Sequence, residues 1–509
     1  MANAINIPKT HLIMGLSLPL AVLVGYFVAE PMELGSVAVV VFVLVVLSIP
    51  LMMKWYYPFL VLAWNAAIYP AFLPGRPALW AMLAFIGLLF AVLSRAVSAN
   101  ARFVFEPSVT KPLLALTAVV VATALMTGGF GVQMLGAGRY GGKNYFYFMA
   151  AVAGYFVFTS RRIPPHRAKL YVAMFLLSTL TFAASDLAAF GGSKLNFLWL
   201  IIPADSTLGG DASGGSLEGG DHIMRIGDLA LVGGGLIAYL LARFGIRGLL
   251  DLERPWRLLL LLLALAAGLV SGFRSFVIQS GLTFGLVFYL EGLHRTRYAA
   301  ALLAVMLLGA VVVLPQADKL PLVAQRALCF LPGKFDSVAR ESGAVSWEWR
   351  VEMWRQVLPE VPSTLFRARG WGFDAREFHT TVDMAPGADP LASTILVGNF
   401  HNGPLSILIP FGLYGAVAFI WFLVAGLRML HRNWKFGSPA LQRVNTLLLA
   451  SFAAHAVFFF GFFGSLQTDI ASFTGTLGLS VALNGVGAAV TRAAQPAAGV
   501  ELNTEYVKA

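Results

Sequence analysis

Three short segments hold side chains whose types and spacing could do chemistry. His401-Asn402 stands immediately before the apolar run Gly403-Pro404-Leu405-Ser406-Ile407-Leu408-Ile409-Pro410. An imidazole has an ordinary pKa near ~6.5, so at a water–hydrocarbon boundary it accepts a proton from a hydroxyl at physiological pH. Arg274 lies in Ser271-Gly272-Phe273-Arg274-Ser275, a short connection between two apolar runs. A guanidinium there cannot move far from hydrocarbon, which is costly unless an anion or a carboxylate meets it. Arg350 is followed by Trp354 one helical turn on, with Glu348 and Glu352 beside it and Arg355, Arg367, Arg369 and Arg376 in the same segment. Each of the three also has a bland reading: an interfacial histidine with no task, an arginine snorkelling to lipid headgroups, and a solvated charge.

The elements that must position these groups are set by composition. The 509 residues are 58% hydrophobic and 12% charged, with a mean hydropathy of +0.76. An ordinary soluble domain carries about twice that charge fraction. The apolar runs recur from Leu12 almost to Val490, which describes one membrane domain. A spanning helix needs roughly 17–25 mostly apolar residues. Candidates lie near 12–28, 35–53, 56–73, 78–95, 112–128, 145–160, 168–189, 225–243, 257–272, 275–291, 297–314, 403–428, 444–463 and 467–490. The fold class is an all-α polytopic membrane protein, with about 12–14 transmembrane helices and one large, partly helical outer loop. The chain divides into helices 1–11 over 1–314, the loop over 315–399, helices 12–14 over 400–490, and a tail over 491–509.

Charge sets the orientation. With the N-terminus in the cytoplasm, the inner connections collect Arg95, Arg161, Arg162, Arg243, Arg247 and Arg443, among others. That asymmetry follows the positive-inside rule. The net charge of +11 is thus a topology signal, and a nucleic-acid partner is excluded. The run from Leu12 to Val28 lacks a small-residue cleavage site and reads as a first spanning helix. Cys329 is the single cysteine, so there is no intramolecular disulfide framework and no cysteine-based metal site. No carboxylate pair marks a metal site either. Asp205, Asp211 and Asp221 of the glycine-rich segment 190–223 read as solvated acids.

The segment 315–399 is far longer than a connector needs to be, and such loops are usually functional. It carries Trp347, Trp349, Trp354, Trp371 and Phe373. Its centre, Trp347–Leu358, has helical spacing of Trp347, Arg350, Trp354 and Val357, which predicts an amphipathic helix on or near the outer bilayer surface. Trp347, Trp371 and Phe373 are platforms for sugars or the packing core of the loop.

His401-Asn402 with Leu405, Gly412 and Gly415, placed after one large outer loop, resembles the signature of the O-antigen ligase and polymerase superfamily. Ser271-Gly272-Phe273-Arg274-Ser275 is similar to its Ser-Gly-Ser-Arg segment, and Arg350 with Trp354 to its Arg-x-x-x-Trp. Gly370-Trp371-Gly372-Phe373 is similar to its Gly-x-Gly turn. The motifs cover roughly residues 225–430. Phe273 and Pro404 depart from the family pattern.

The resemblance implies a glycosyltransferase of the bacterial inner membrane, with both termini cytoplasmic and the large loop periplasmic. It would move a glycan from a polyprenyl-pyrophosphate carrier to an acceptor hydroxyl, metal-independent and inverting, without a cofactor. Its partners are the lipid-linked donor, a lipid or glycan acceptor, and membrane lipid. Arg274 and Arg350 would take the pyrophosphate oxygens and His401 the acceptor proton. Asn402, Arg225, Trp354, Gly370 and Gly372 would contact substrate. Ligase, polysaccharide polymerase and protein O-oligosaccharyltransferase share this chemistry; the ligase matches the long loop and the His-Asn pair best. A transporter is the reading from a different class, and it would place acids deep in the helices, where only Asp186 and Asp228 qualify.

Overall fold

The structure is a computed structural model that describes residues 34–71, 73, 75–97, 103–131, 139–203, 225–374, 376 and 390–485, with the isolated positions 22 and 25. The run 12–28 as a spanning helix, the acids Asp205, Asp211 and Asp221, and the tail 491–509 lie outside the described residues.

The protein is mostly helical. The bundle comprises α1 (Leu34–Ala63), α2 (Leu79–Val97), α3 (Pro107–Thr127) and α4 (Gly142–Phe158). It continues through α5 (Pro165–Phe190), α6 (Leu229–Leu249), α7 (Trp256–Val270), α8 (Arg274–Leu290) and α9 (Arg297–Val313). The loop contributes α10 (Leu322–Leu328), α11 (Ser337–Val357) and α12 (Pro390–Leu396), and the bundle closes with α13 (Gly403–Phe436), α14 (Gln442–Gly461) and α15 (Leu466–Asn484). Seven helices among the described residues are long and apolar enough to cross a membrane: α2, α3, α5, α6, α9, α13 and α14. In hydrocarbon every backbone polar group must be satisfied within the protein, and a helix does so within its own segment. This is the architecture of an all-α polytopic membrane protein.

One pair of expected spans is corrected. The runs 35–53 and 56–73 form the single helix α1, which ends at Ala63. Lys54 does not break it, because a lysine stem carries its ammonium outward without disturbing the backbone, and its Nζ lies 5.8 Å from the Trp55 ring centroid. The non-helical chain beyond α1 is paired externally. Ala67 N donates to Thr181 Oγ1 at 2.8 Å, and Tyr69 N to Ile201 O at 2.6 Å.

Contacts between element ends define two ends of the bundle. At one end Arg432, late in α13, donates to Glu106 at the start of α3 at 2.5 Å. There too Asn445 and Asn484 exchange side-chain hydrogen bonds at 3.0 and 2.9 Å, which ties α14 to α15. At the other end β1 (Arg139–Tyr140) pairs antiparallel with β2 (Phe373–Asp374). This second end holds the starts of α8 and α13 and the described residues of the large loop.

The longest helix, α13, is broken. Pro410 lies inside it and Gly412 takes φ 60°, ψ −158°, a conformation open essentially only to glycine. The loop fills the break. Ile409 O accepts from Arg369 N at 3.2 Å, Pro410 O from Gly370 N at 2.8 Å, and Leu413 N donates to Leu365 O at 2.8 Å. The freed backbone groups of a discontinuous helix thereby find partners.

A Cβ at position 412 would lie 2.5 Å from Leu365 O. Gly412→Ala is therefore expected to cost on the order of 1–3 kcal/mol and to free the segment 365–370 for proteolysis. Gly281→Ala, where a Cβ meets open space, is the control. Thermal unfolding and limited proteolysis in detergent check this; equal behaviour of the two variants would show that the loop does not depend on the break.

Candidate functional site

His401 sits one residue before the cap of α13. Its backbone takes φ 48°, one of two non-glycine residues with positive φ among those described. A left-handed residue of this kind is strained by roughly 1 kcal/mol or more. Asn402 is the N-cap: its Oδ1 accepts from Leu405 N at 3.1 Å. Pro404 in the first turn fits the helix start, where its missing N–H costs nothing. The left-handed residue followed by the cap turns the chain sharply into α13 and points the imidazole back toward the loop.

Two aromatic rings hold that imidazole. Trp349 of α11 meets it edge-on, with centroids 5.4 Å apart at 70°. Phe463, in the turn between α14 and α15, lies 5.0 Å away at 53°. His401 Nδ1 is buried and has no hydrogen-bond partner among the described residues, so Nε2 is the nitrogen on the open side.

Arg350, the residue after Trp349, places its guanidinium 5.7 Å from the centroid of the same Phe463 ring. Arg274 opens α8 and donates from Nη2 to Gly343 O of α11 at 3.0 Å. Burial, and then the neighbouring charge of Arg274, push the Arg350 pKa below the usual arginine value. Burial, and then the charge of Arg350, bring His401 down to about 4. Arg274, Arg350 and His401 are thus brought together, and among the described residues no carboxylate is paired with either arginine. Two mutually repelling, partly desolvated cations beside an imidazole are an arrangement suited to an anion, with a proton acceptor at its edge.

The other residues picked from the sequence fall nearby or in supporting roles. Arg225 is buried at 7% exposure and stacks over Phe273, 5.7 Å from its centroid, one residue from Arg274. Trp354 donates from Nε1 to Phe400 O at 2.9 Å, which clamps α11 to the residue preceding His401. Gly370 and Gly372 line a narrow cavity with Phe400 and Pro410. A Cβ on Gly370 would come 2.6 Å from Thr127 Oγ1, and one on Gly372 2.8 Å from Gly129 Cα. These glycines let the loop seat on α3 and its following turn. Trp371 and Phe373 are buried: Trp371 packs edge-on against Phe411, 4.7 Å away. Both belong to the packing core, while Trp347 is 52% exposed. The helix expected over Trp347–Leu358 begins earlier, at Ser337. Its buried Met353 and Val357 pack with Phe400, Leu405 and Ile409, so its apolar face meets protein.

Sequence reasoning passed over Phe463, Trp349 and Arg326. Phe463 is one of five phenylalanines over 458–463, and nothing distinguishes it there. Arg326 did carry a signal, as the one charge in the apolar stretch Leu320–Leu331.

The position of His401 predicts its titration. In histidine-labelled protein in nanodiscs, nitrogen NMR is expected to show His401 neutral until about pH 4, its signal assigned by difference from His401→Ala. Arg350→Gln removes one of the two causes and is expected to move the titration upward. Burial remains, so it stays below the free value of ~6.5. Wild-type titration at the free value would show that the imidazole is not held by these neighbours.

No protein-family model matches the chain, and no curated protein matches it.

Proposed function

We propose that the protein is a membrane glycan transferase of the O-antigen ligase type, moving a glycan from a polyprenyl-pyrophosphate carrier to an acceptor hydroxyl. The observation that supports this reading is the meeting of Arg350 and His401 around Phe463, with Arg274 held at Gly343 of the same helix and its charge acting on Arg350. The site end is the end opposite Glu106, Arg432, Arg243 and Arg443. By the positive-inside rule the basic end is cytoplasmic. The site then opens on the periplasmic face of a bacterial inner membrane, where the large loop also lies.

The chemistry follows from the groups present. A pyrophosphate is already a competent leaving group and needs its departing charge stabilised more than it needs a proton. Two guanidiniums give charge-assisted, bidentate contacts to its oxygens, and water exclusion strengthens them. They supply the positive charge that a divalent ion supplies in other glycosyl transfers. An alcohol is a poor nucleophile. As its oxygen bonds to the anomeric carbon, its proton passes to His401 Nε2, a general-base contribution of ~10²–10⁴ in rate. The carbon–oxygen bond to the carrier breaks, the electron pair leaves on the pyrophosphate, and the anomeric configuration inverts. The depressed His401 pKa keeps the base deprotonated across physiological pH. Arrival of the anionic donor offsets the positive field and raises the basicity of the imidazole when proton transfer is needed.

Two experiments test the reading. With lipid-linked glycan as donor, His401→Ala is expected to lower turnover ~10²-fold or more while the protein still inserts. Activity is expected to persist in EDTA. Wild-type turnover in the variant would remove the base. Separately, inorganic pyrophosphate binding by calorimetry is expected to weaken about tenfold or more in Arg274→Gln and Arg350→Gln, the loss of a charged hydrogen bond. Unchanged binding in both would remove the anion site. A deletion strain that loses long-chain surface glycan and accumulates lipid-linked repeats of full length supports a ligase. Accumulation of single repeats instead marks a polymerase.

A further inference from the structure

Arg326 of α10 is 8% exposed and lies outside the chemistry described above. Its Nε donates to Ser342 Oγ at 2.8 Å and its Nη1 to Gly272 O at 2.9 Å. Gly272 belongs to the turn between α7 and α8, two residues before Arg274. Ser342 belongs to α11, one residue before Gly343, whose carbonyl accepts from Arg274 at 3.0 Å. The contacts close a circuit: from Gly272 along the chain to Arg274, across to Gly343, back one residue to Ser342, and through Arg326 to Gly272 again. Two consecutive helices of the loop and the turn before α8 are joined at one point.

The circuit controls the face that α11 presents. Gly343 and Arg350 are seven residues apart on one helix, so they share a face and lie roughly 10 Å apart along it. Gripping α11 at Ser342 and Gly343 therefore sets the direction in which Arg350 points two turns later. There the Arg350 guanidinium lies over the Phe463 ring, within the field of Arg274 and against the repulsion of two like charges. Gly343 suits the close packing at the grip, because a Cβ there would lie 2.9 Å from Cys329 Sγ.

We propose that Arg326 is the positioning residue of the arginine pair. It spends its donors on protein acceptors and holds α11 on the start of α8, so that Arg274 and Arg350 face one anion. This deepens the donor reading above and rests on it for the identity of the anion. A lysine offers a point charge where the guanidinium spans two acceptors in fixed directions, so the role belongs to arginine. Ser342→Ala removes one arm of the circuit and leaves the other.

The test joins a distance to an activity. Spin labels at Glu348 of α11 and Gly281 of α8, both exposed, are introduced as cysteines in a Cys329→Ser background. The distance distribution is expected to be narrow with Arg326 present, and broadened in Arg326→Gln and Arg326→Lys. With lipid-linked donor, both variants are expected to raise KM by ~10–100-fold, the scale of a misplaced binding group, and Ser342→Ala by a few-fold. In a double-mutant cycle, adding Arg326→Gln to Arg350→Gln is expected to raise KM little further, because the residue acts through Arg350. An unchanged distance distribution in folded Arg326→Gln protein, or fully additive KM effects, would overturn the proposal. Broadened distances in a protein whose wild-type form transfers no glycan would instead refute the donor reading and keep the circuit.

Discussion

Two like charges held at close range, with no carboxylate between them among the described residues, are the constraint on which the rest of the site depends. Arg274 and Arg350 repel, and the repulsion is stronger where water is excluded. The surroundings offset it with neutral partners. A backbone carbonyl takes one guanidinium at Gly343, and the face of Phe463 meets the other. Neither partner cancels charge. The arrangement therefore keeps a standing positive field, which an anion bearing several oxygens relaxes. The same field acts on His401 and, added to burial, keeps its imidazole neutral. A standing positive field and a neutral imidazole are two consequences of one placement.

Such a placement needs a rigid support, because flexible side chains would drift apart. The support is the large loop, which is sewn into the bundle. Its backbone fills the break in α13 at Pro410 and Gly412. Trp354 ties α11 to Phe400, and β2 pairs with β1 beyond α3. Each contact satisfies a polar group that a membrane environment would leave stranded. Unmaking one exposes its partner, so the loop and the helices hold one another in register. The loop is long because it must reach α3, α8 and α13 at once.

Much of this was legible in the sequence, for reasons specific to each part. Most helices follow from apolar runs, because hydrocarbon leaves a chain few other options. The merging of two runs into α1 was hidden, since hydropathy records Lys54 as a boundary while the backbone does not. His401 and Arg274 could be picked because charged or titratable groups beside apolar runs need a reason to be there, whereas Arg350 was separated from the other loop arginines only by Trp354 four residues on, the spacing that carries the family resemblance. Their supports could not be picked. Phe463 and Trp349 look like any membrane-protein aromatics, and only the fold sets them against the imidazole. Gly370 and Gly372 resemble substrate-binding turns in sequence. Their reason is the close approach of the loop to Thr127 and Gly129, a long-range contact with no local signature.

Around the arginine pair the electrostatics differ from those of the matched charges elsewhere in the bundle. At the basic end charges are matched: Arg432 with Glu106, Arg257 with Asp251 at 3.6 Å, and asparagines with one another. Matched groups lower the energy of the folded state and ask for nothing further. At the other end, among the described residues, the arginines of the pair share no acid and the inward nitrogen of His401 has no partner, and the His401 backbone is strained. Ion pairs form at that end too, Arg369 with Glu360 at 3.1 Å and His455 with Asp469 at 3.1 Å, so the charge of the arginine pair stands out against its own surroundings. Such local conflict is expected where binding completes the structure. The uncompensated charge of Arg274 and Arg350 is thus a local property of the place where the loop meets the helices, and the proposed anion site rests on it.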